Sequence, residues 1–140
     1  MPALDSTASA LQAEKTRLDI IGMNIANANT TRGPDGQPYS RQMVSFEAAL
    51  LDAGTTIDGE KIQIQGVKIR DIQSDQTPGP LIFNPGHPDA DDQGMVRLPN
   101  VNLTHEMVDM ITASRSYEAN LQVVKTAKQM AEQAIMISKK

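Results

Sequence analysis

The first part of the chain carries apolar side chains at the spacing of a helical seam. Members of one stripe lie three, four or seven positions apart: Leu4, Ala8, Leu11, Leu18, Ile21, Ile25 and Ala28. This spacing predicts a long helix from about Ala3 to Ala28 with one narrow apolar stripe. Asn27 and Asn29 follow, and asparagine readily takes the left-handed backbone that ends a helix. We therefore expect the helix to end there.

A second stripe begins at Leu103 and alternates steps of four and three residues over more than four heptads. It contains Leu103, Met107, Met110, Ser114, Tyr117, Leu121, Val124, Lys128, Ala131 and Ile135. Asn102 or Thr104 is a candidate N-cap, and Glu106 and Asp109 suit the positive end of the helix dipole. The pattern predicts a long C-terminal helix that needs partners, because its single stripe includes small and polar members.

The middle of the chain is punctuated, since residues 31–100 hold eight of the nine glycines and seven of the eight prolines. Lys61–Ile69 alternates as a strand whose phase changes at Gly66, which predicts a bulge or bend there. Shorter strands are predicted over Gln42–Phe46, Leu81–Phe83 and Met95–Leu98, with turns between them. The stretch 47–60 fits no motif.

These elements predict an α+β fold. Two long terminal α-helices form an antiparallel coiled-coil pair, and a small irregular β-rich segment lies between them. The predicted divisions are 1–30 for the N-terminal helix, 31–100 for the middle segment and 101–140 for the C-terminal helix.

Composition narrows the function classes. The chain has 140 residues, four aromatic residues, and 13 basic against 17 acidic side chains, a net charge of −4. One domain is therefore expected, and the negative charge disfavours a nucleic-acid partner. The absence of cysteine excludes disulfides and thiolate chemistry. No cleavable signal and no transmembrane stretch is visible, so direct membrane insertion is not expected.

Candidate chemistry is sparse. His87 and His105, with nearby aspartates, offer metal ligands or a general base, which gives a metal-dependent hydrolase as one alternative. The favoured interpretation is turn chemistry on a solvated loop, because no metal-binding spacing is present. Phosphate-binding glycine motifs are also absent, and Ser114 and Ser116 have no base on their face. No catalytic residue, metal or cofactor is therefore expected.

Assembly explains the apolar residues better than catalysis does. The predicted seam packs one set of five residues against another: Leu4, Leu11, Leu18, Ile21 and Ile25 against Met107, Met110, Tyr117, Leu121 and Val124. Asn24 and Asn27 are expected to bond backbone where the first helix ends. Ile111 belongs to the remaining apolar faces, which a single partner helix cannot cover. A helical hairpin within one chain and packing between subunits both stay open.

Two terminal segments resemble the family of bacterial flagellar rod and hook proteins. Near the N-terminus the resemblance lies in the helix that ends Asn24-Ile25-Ala26-Asn27, followed by Thr30; isoleucine stands where leucine is usual. Near the C-terminus it lies in Ala113-Ser114-Arg115 through Asn120. Middle motifs resemble a short member of the same family, through Gly33, Pro34, Asp35, Gly36 and Tyr39 and through Asn84, Pro85 and Gly86.

The resemblance implies a structural subunit of the proximal rod, which assembles into a helical tube and transmits torque across the periplasm. It implies self-copies, other rod proteins, the membrane-ring/rod adaptor and the flagellar type III export apparatus as partners. It also implies export without a cleaved signal peptide to a periplasmic rod. The alternatives are another rod subunit and a cytosolic coiled-coil adaptor or export chaperone.

Overall fold

The computed structural model describes residues 2–55 and 61–138, and within them it shows an α+β chain. The elements in order are α1 (Pro2–Ala26), β1 (Gln42–Thr55), β2 (Lys61–Ser74), β3 (Leu81–Phe83), β4 (Met95–Arg97) and α2 (Leu103–Ser138). Two long helices therefore enclose the strands in sequence, as predicted. Residues 1, 139 and 140, at the outer ends of the predicted segments, lie outside the described residues, as do 56–60 of the unassigned stretch.

Helix α1 ends near Asn27, as the sequence predicted, but the asparagine does not end it by taking a left-handed conformation. The Asn27 backbone N–H still donates to the Met23 carbonyl oxygen at 3.0 Å, and its side-chain Nδ2 donates to the same oxygen at 2.9 Å. No described residue other than glycine has a positive φ, so the expected left-handed asparagine is wrong. The side chain thus adds a second donor to the Met23 carbonyl oxygen, and the Ala28 N–H closes the last turn on the Ile25 carbonyl oxygen at 3.2 Å, without a left-handed residue.

Helix α2 begins with Asn102 as its N-cap. The Asn102 Oδ1 accepts a hydrogen bond from the His105 N–H at 3.2 Å, and its carbonyl oxygen accepts one from the Glu106 N–H at 3.0 Å. The side-chain bond satisfies a first-turn donor that has no partner within the helix, and the carbonyl accepts the first regular helical bond. Of the two candidate caps, Asn102 is therefore the one used.

Strands β1 and β2 form a two-stranded ribbon that is longer than the sequence predicted. Each strand has 14 residues, whereas the alternation indicated only Gln42–Phe46 and Lys61–Ile69. Over the side chains whose burial is described, 42–50 and 64–74, neither face of the ribbon is continuously buried, so these positions need no strict period-2 pattern. The outer parts of both strands therefore carry no clear strand pattern.

Strands β3 and β4 form a separate antiparallel pair at the predicted positions. Leu81 pairs with Arg97, Ile82 with Val96 and Phe83 with Met95. The chain returns from β3 through a loop that ends at Gly94, whose φ of 72° favours glycine. Val96 is almost completely buried, whereas all three side chains of β3 are exposed.

The chain divides into two compact units. The first takes its described residues from Met1–Arg17, Phe46–Arg70 and Thr112–Lys140, and Ala13, Gly66 and Ala113 are buried in it. Here α1 contacts β2 through two serines: the Ser6 hydroxyl donates to the Gln65 carbonyl oxygen at 2.8 Å, and Ser9 Oγ accepts from the Val67 N–H at 3.1 Å. The backbone of β2 is thus held against α1 at Gly66.

The second unit comprises Leu18–Ser45 and Asp71–Ile111. It contains the end of α1, the start of β1, the β3–β4 pair and the first turns of α2. Its buried residues are Ile20, Ile21, Asn24, Val96, Pro99 and Glu106. An amide and a carboxylate within such a core require internal partners, because burying them unpaired is costly.

Candidate functional site

Asn24 is the centre of a buried polar hub, which we define as Asn24, Tyr39, Arg41, Gln42 and Glu106. The Asn24 side chain is 1% exposed and makes four hydrogen bonds. Its Nδ2 donates to the Gln42 carbonyl oxygen at 2.9 Å and to Glu106 Oε2 at 3.0 Å. Its Oδ1 accepts from the Gln42 N–H and the Tyr39 hydroxyl, each at 2.9 Å. Every donor and lone pair of the amide is therefore used.

Glu106 is the buried charge of the hub. It is 1% exposed, yet both carboxylate oxygens are paired: Oε1 accepts from Arg41 Nε at 2.6 Å, and Oε2 accepts from Asn24. The other end of the guanidinium lies 3.5 Å from Asp109 Oδ2, which is more exposed. A buried carboxylate with a charged partner and a second donor avoids the large cost of an isolated charge.

Tyr39 joins the loop after α1 to the hub. Its backbone N–H donates to the Thr30 carbonyl oxygen at 3.1 Å, while its hydroxyl reaches Asn24. Burial, and secondarily the Glu106 carboxylate, raise the pKa of Tyr39 above its ordinary value. The phenol is therefore held in its neutral, hydrogen-donating form.

Asn100 closes the open end of the β1–β2 ribbon beside the hub. Its Oδ1 accepts from the Arg41 N–H at 2.7 Å, and its Nδ2 donates to the carbonyl oxygens of Asp75 and Thr77 at 3.0 and 2.9 Å. The Asp75 N–H donates directly to the Arg41 carbonyl oxygen at 2.8 Å. Hydrogen bonds from Thr77, and then the charge of Arg41, hold the pKa of Asp75 below its ordinary range.

The motif residues of the middle segment build turns. The Gly33 N–H donates to the Gln37 carbonyl oxygen at 2.7 Å, and the Gly36 N–H, at a φ of 76°, donates to Gly33. Pro34 and Asp35 form the exposed centre of this turn. Asn84, Pro85 and Gly86 begin the loop after β3, where the Asn84 carbonyl oxygen accepts from the His87 N–H.

The residues predicted for the helical seam differ in their exposure. Ile21 and Asn24 are buried, and most of the others are half-buried: Leu4, Leu11, Leu18, Ile25, Asn27, Met110, Tyr117, Leu121 and Val124. Met107 and Ile111 are both 55% exposed. Of this set, the structure joins Asn24 to α2 by a hydrogen bond to Glu106.

The C-terminal motif lies on α2 with its residues on different sides. Ala113 is fully buried, Ser114 and Asn120 are half-buried, and Arg115 is exposed. Further along, α2 presents large apolar side chains that are more than half exposed: Val123, Met130, Ile135, Met136 and Ile137. The outer part of this helix thus exposes several large apolar side chains in the single chain.

The sequence did not identify the partners of Asn24. Asn24 was expected to bond backbone at the end of its own helix, but it bonds the backbone of Gln42 and the side chains of Tyr39 and Glu106, 82 positions away in the last case. Glu106 was assigned only a role at the helix dipole. The sequence did offer one signal, a charged residue at helical spacing from small and apolar positions that the structure buries or half-buries: Glu106, Met110, Ala113 and Tyr117.

The histidine loop makes local contacts. His87 Nδ1 accepts from the Asp89 N–H at 3.1 Å, and Asp89 also accepts from the Thr31 hydroxyl at 2.7 Å and pairs with Arg32. The described residues contain no group of three or more His, Asp or Glu side chains placed to hold a metal ion. Nor does any helix in the described part of the chain have the length and apolarity needed to span a membrane.

Comparison with known proteins gives consistent matches at both ends of the chain and along its length. Residues 4–34 match the family model described as flagella basal body rod protein, and residues 92–137 match the one described as flagellar basal body rod FlgEFG protein C-terminal. The chain is 44% identical to the flagellar basal-body rod protein FlgC of Yersinia enterocolitica, over 90% of this chain and 88% of the relative.

Two relatives from other bacteria extend this similarity. The FlgC protein of Borreliella burgdorferi is 40% identical over 96% of this chain and 95% of its own length. That of Bacillus subtilis is 36% identical over 98% and 97%. The similarity therefore includes both helices, the ribbon and the hub.

Proposed function

Since the chain belongs to the FlgC family of flagellar basal-body rod proteins, we propose that it forms the proximal part of the rod through its terminal helices. The protein is a structural subunit of the basal-body rod and not an enzyme. The observation that carries the proposal is the near end-to-end similarity to rod proteins, combined with a C-terminal helix whose outer part exposes several large apolar side chains.

Within one subunit, α1 and α2 pair as an antiparallel coiled coil. The hydrogen bond from Asn24 to Glu106 supports this pairing, because it joins a residue near the end of α1 to one near the start of α2. The residues assigned to the helix contact and to assembly are Leu4, Leu11, Leu18, Ile21, Asn24, Ile25, Asn27, Met107, Met110, Ile111, Tyr117, Leu121 and Val124. The motif residues Gly33–Gly36, Tyr39 and Asn84–Gly86 set the turns between the helices, and Ala113, Ser114, Arg115 and Asn120 belong to the helical contact.

Between subunits, the exposed apolar residues of α2 are covered by neighbours. Met130, Ile135 and Ile137 are each more than half exposed in the single chain, and water-exposed apolar area of this extent is typical of an interaction surface. Repeated heterologous contacts that do not close on themselves generate a helical tube. The partners are copies of this chain, other rod proteins and the membrane-ring/rod adaptor.

The rod crosses the periplasm and transmits torque, and its subunits travel through the flagellar type III export apparatus without a cleaved signal peptide. A long helix with a single narrow stripe supports this route, because such a helix gains most of its stability from packing partners. Subunits are therefore able to pass through the export channel before their final contacts form.

The test is quantitative mass spectrometry of basal bodies purified after detergent extraction and alkaline stripping. We expect this chain at a fixed stoichiometry to ring and hook components. In a strain from which its gene is deleted, we expect the distal rod to be missing as well. Absence from basal bodies that still hold the other rod proteins would overturn the proposal and favour the cytosolic adaptor. A constant ratio to distal rather than proximal components would favour another rod position.

A further inference from the structure

Two hub residues belong to stripes of covered positions along the helices: Asn24 to a stripe on α1 and Glu106 to one on α2. On α2, buried and half-buried positions recur at alternating steps of four and three: Glu106, Met110, Ala113, Tyr117, Asn120, Val124, Ala127 and Ala131. On α1 the same steps, followed backwards from Asn24, meet buried or half-buried positions: Asn24, Ile20, Arg17, Ala13 and Ala10. The next position, Ser6, is also half-buried, but its hydroxyl bonds β2. Alternating steps of this kind define the contact seam of a coiled coil.

In an antiparallel pair, the residue numbers of facing positions have a constant sum. The contact between Asn24 and Glu106 sets that sum, and every other member of the α1 stripe then faces a member of the α2 stripe. With that sum, Ile20 would lie opposite Met110, Ala13 opposite Tyr117 and Ala10 opposite Asn120. This alignment places Pro2, the first residue of α1, beside Lys128, and α2 loses its burial a few residues later, beyond Ala131.

We propose that Asn24 and Glu106 form a register key that selects this one alignment of α1 and α2 among its heptad-shifted alternatives. The inference rests on the antiparallel pairing proposed above. Two of the α1 positions (Ala10 and Ala13) and three of the eight α2 positions (Ala113, Ala127 and Ala131) are alanine, which discriminates poorly between alignments because its side chain is small. A shift by one heptad separates Asn24 from Glu106 and leaves the buried amide and carboxylate without a hydrogen-bond partner that each has in the matched alignment. The contacts made by alanine change little in such a shift.

The key acts through the wider hub. Gln42 presents both its N–H and its carbonyl oxygen to Asn24, and Arg41 holds the second oxygen of Glu106. The start of β1 therefore fixes the place of both side chains along the helices. Asn24 and Glu106 position the helices by specifying which residues meet, a role separate from their contribution to stability.

The experiment uses disulfide trapping in the full-length purified chain, which has no native cysteine. Three double variants share Ala10→Cys: the matched pair adds Asn120→Cys, and the two shifted pairs add Ala113→Cys or Ala127→Cys. A heptad corresponds to about 10 Å along a helix, whereas a disulfide tolerates Cα separations up to about 7 Å. We expect the matched pair to oxidise at least roughly tenfold faster than either shifted pair.

The same pairs are then tested with Glu106→Leu, which removes the key, and with Ile20→Ala as the matched control. Ile20→Ala weakens a buried apolar layer without touching the hub, and it should leave the preference for the matched pair unchanged. Glu106→Leu should reduce that preference several-fold while circular dichroism shows retained helix. Glu106→Gln, which keeps an oxygen acceptor for Asn24 or Arg41, should restore it.

Several outcomes overturn the register key. An unchanged preference in Glu106→Leu does so, as does an equal loss of preference in Ile20→Ala. Complete loss of helix in Glu106→Leu would show that Glu106 supports stability alone. Absence of cross-linking in all three pairs would also overturn it, since a key within one chain acts before neighbours arrive. None of these results alters the stoichiometry in basal bodies, which tests the rod assignment separately.

Discussion

Gly79 passes so close to Leu98 that no side chain fits between them. A Cβ atom on Gly79 would overlap the carbonyl oxygen of Leu98 and lie 2.8 Å from the carbonyl carbon of Pro99. Both neighbours are backbone, and the adjacent N–H of Leu98 is hydrogen-bonded to the Pro80 carbonyl oxygen at 2.9 Å. The segment before β3 and the segment after β4 are thus held at backbone contact distance.

We expect Gly79→Ala to lower the free energy of unfolding by about 2–3 kcal/mol, because backbone has to move to admit the methyl group. The matched control is Gly22→Ala in α1, where a Cβ meets nothing within 4 Å. That substitution should stabilise by up to about 1 kcal/mol through helix propensity. Urea unfolding followed by circular dichroism measures both. Equal effects of the two alanines would contradict the backbone contact.

Tyr39→Phe removes the hydroxyl that donates to Asn24 Oδ1. We expect a loss of about 1–2 kcal/mol in the free energy of unfolding, because Asn24 is buried and loses one of its four hydrogen bonds. Tyr117→Phe, at a half-buried position on α2 outside the hub, is the control and should change stability by less than about 0.5 kcal/mol. A similar cost at both tyrosines would argue against the special role of Tyr39.

The raised pKa of Tyr39 predicts a loss of stability in alkali. Burial and Glu106 raise its folded-state pKa above the ordinary 10.0, so the neutral phenol stabilises the fold fully below about pH 10. That contribution is lost as the pH rises through the folded-state pKa. Unfolding at about pH 7, 9 and 11 should therefore show the difference between the wild-type chain and Tyr39→Phe shrinking at the highest pH. A constant difference would contradict the shift.

The two ion pairs of Arg41 should contribute very different amounts to the free energy of unfolding. Arg41→Met leaves the buried Glu106 carboxylate without its charged partner, and we expect it to cost about 3–5 kcal/mol. Asp109→Asn alters the longer, more exposed contact and should cost less than about 1 kcal/mol. Chemical denaturation of both variants provides the comparison. A larger effect at Asp109 would reverse the assignment of the buried pair.

Leu18→Asp and Leu121→Asp test whether the half-buried apolar positions beside the α1–α2 seam are needed for assembly. Each places a charge at a half-buried apolar position, so we expect loss of the chain from purified basal bodies and loss of swarming at unchanged expression. Gln12→Asp and Gln122→Asp, at exposed positions on the same helices, should assemble normally. Swarming at wild-type rates in either leucine variant would contradict the packing model.

Sequence periodicity identified the elements whose burial is regular. The helix bounds agree with prediction within about two residues, and Leu81–Phe83 was predicted without error. The ribbon was predicted only in part, because residues such as Glu47 and Ala49 follow no alternation in a strand pair without a continuous core face. Hydrophobic periodicity reflects regular burial, so it does not predict a strand whose burial is irregular.

The hub could not be predicted for a different reason. Asn24, Gln42 and Glu106 meet only after α1, the following loop and α2 have come together, and no local spacing encodes that meeting. Asn24 looked like a helix-ending residue and Glu106 like a dipole partner, and both interpretations suit their immediate sequence. Long-range polar contacts depend on geometry that only the folded chain supplies.

Ser6 and Ser9 of α1 limit the pairing of the β1–β2 ribbon with strands of other molecules. A two-stranded ribbon has unpaired N–H and C=O groups along both outer edges, and such edges recruit strands from other molecules. Ser6 and Ser9 occupy the carbonyl of Gln65 and the N–H of Val67, so these two groups of β2 are not available to an incoming strand. Two small hydroxyls on a helix thus hinder the addition of a strand from another molecule at this point of β2.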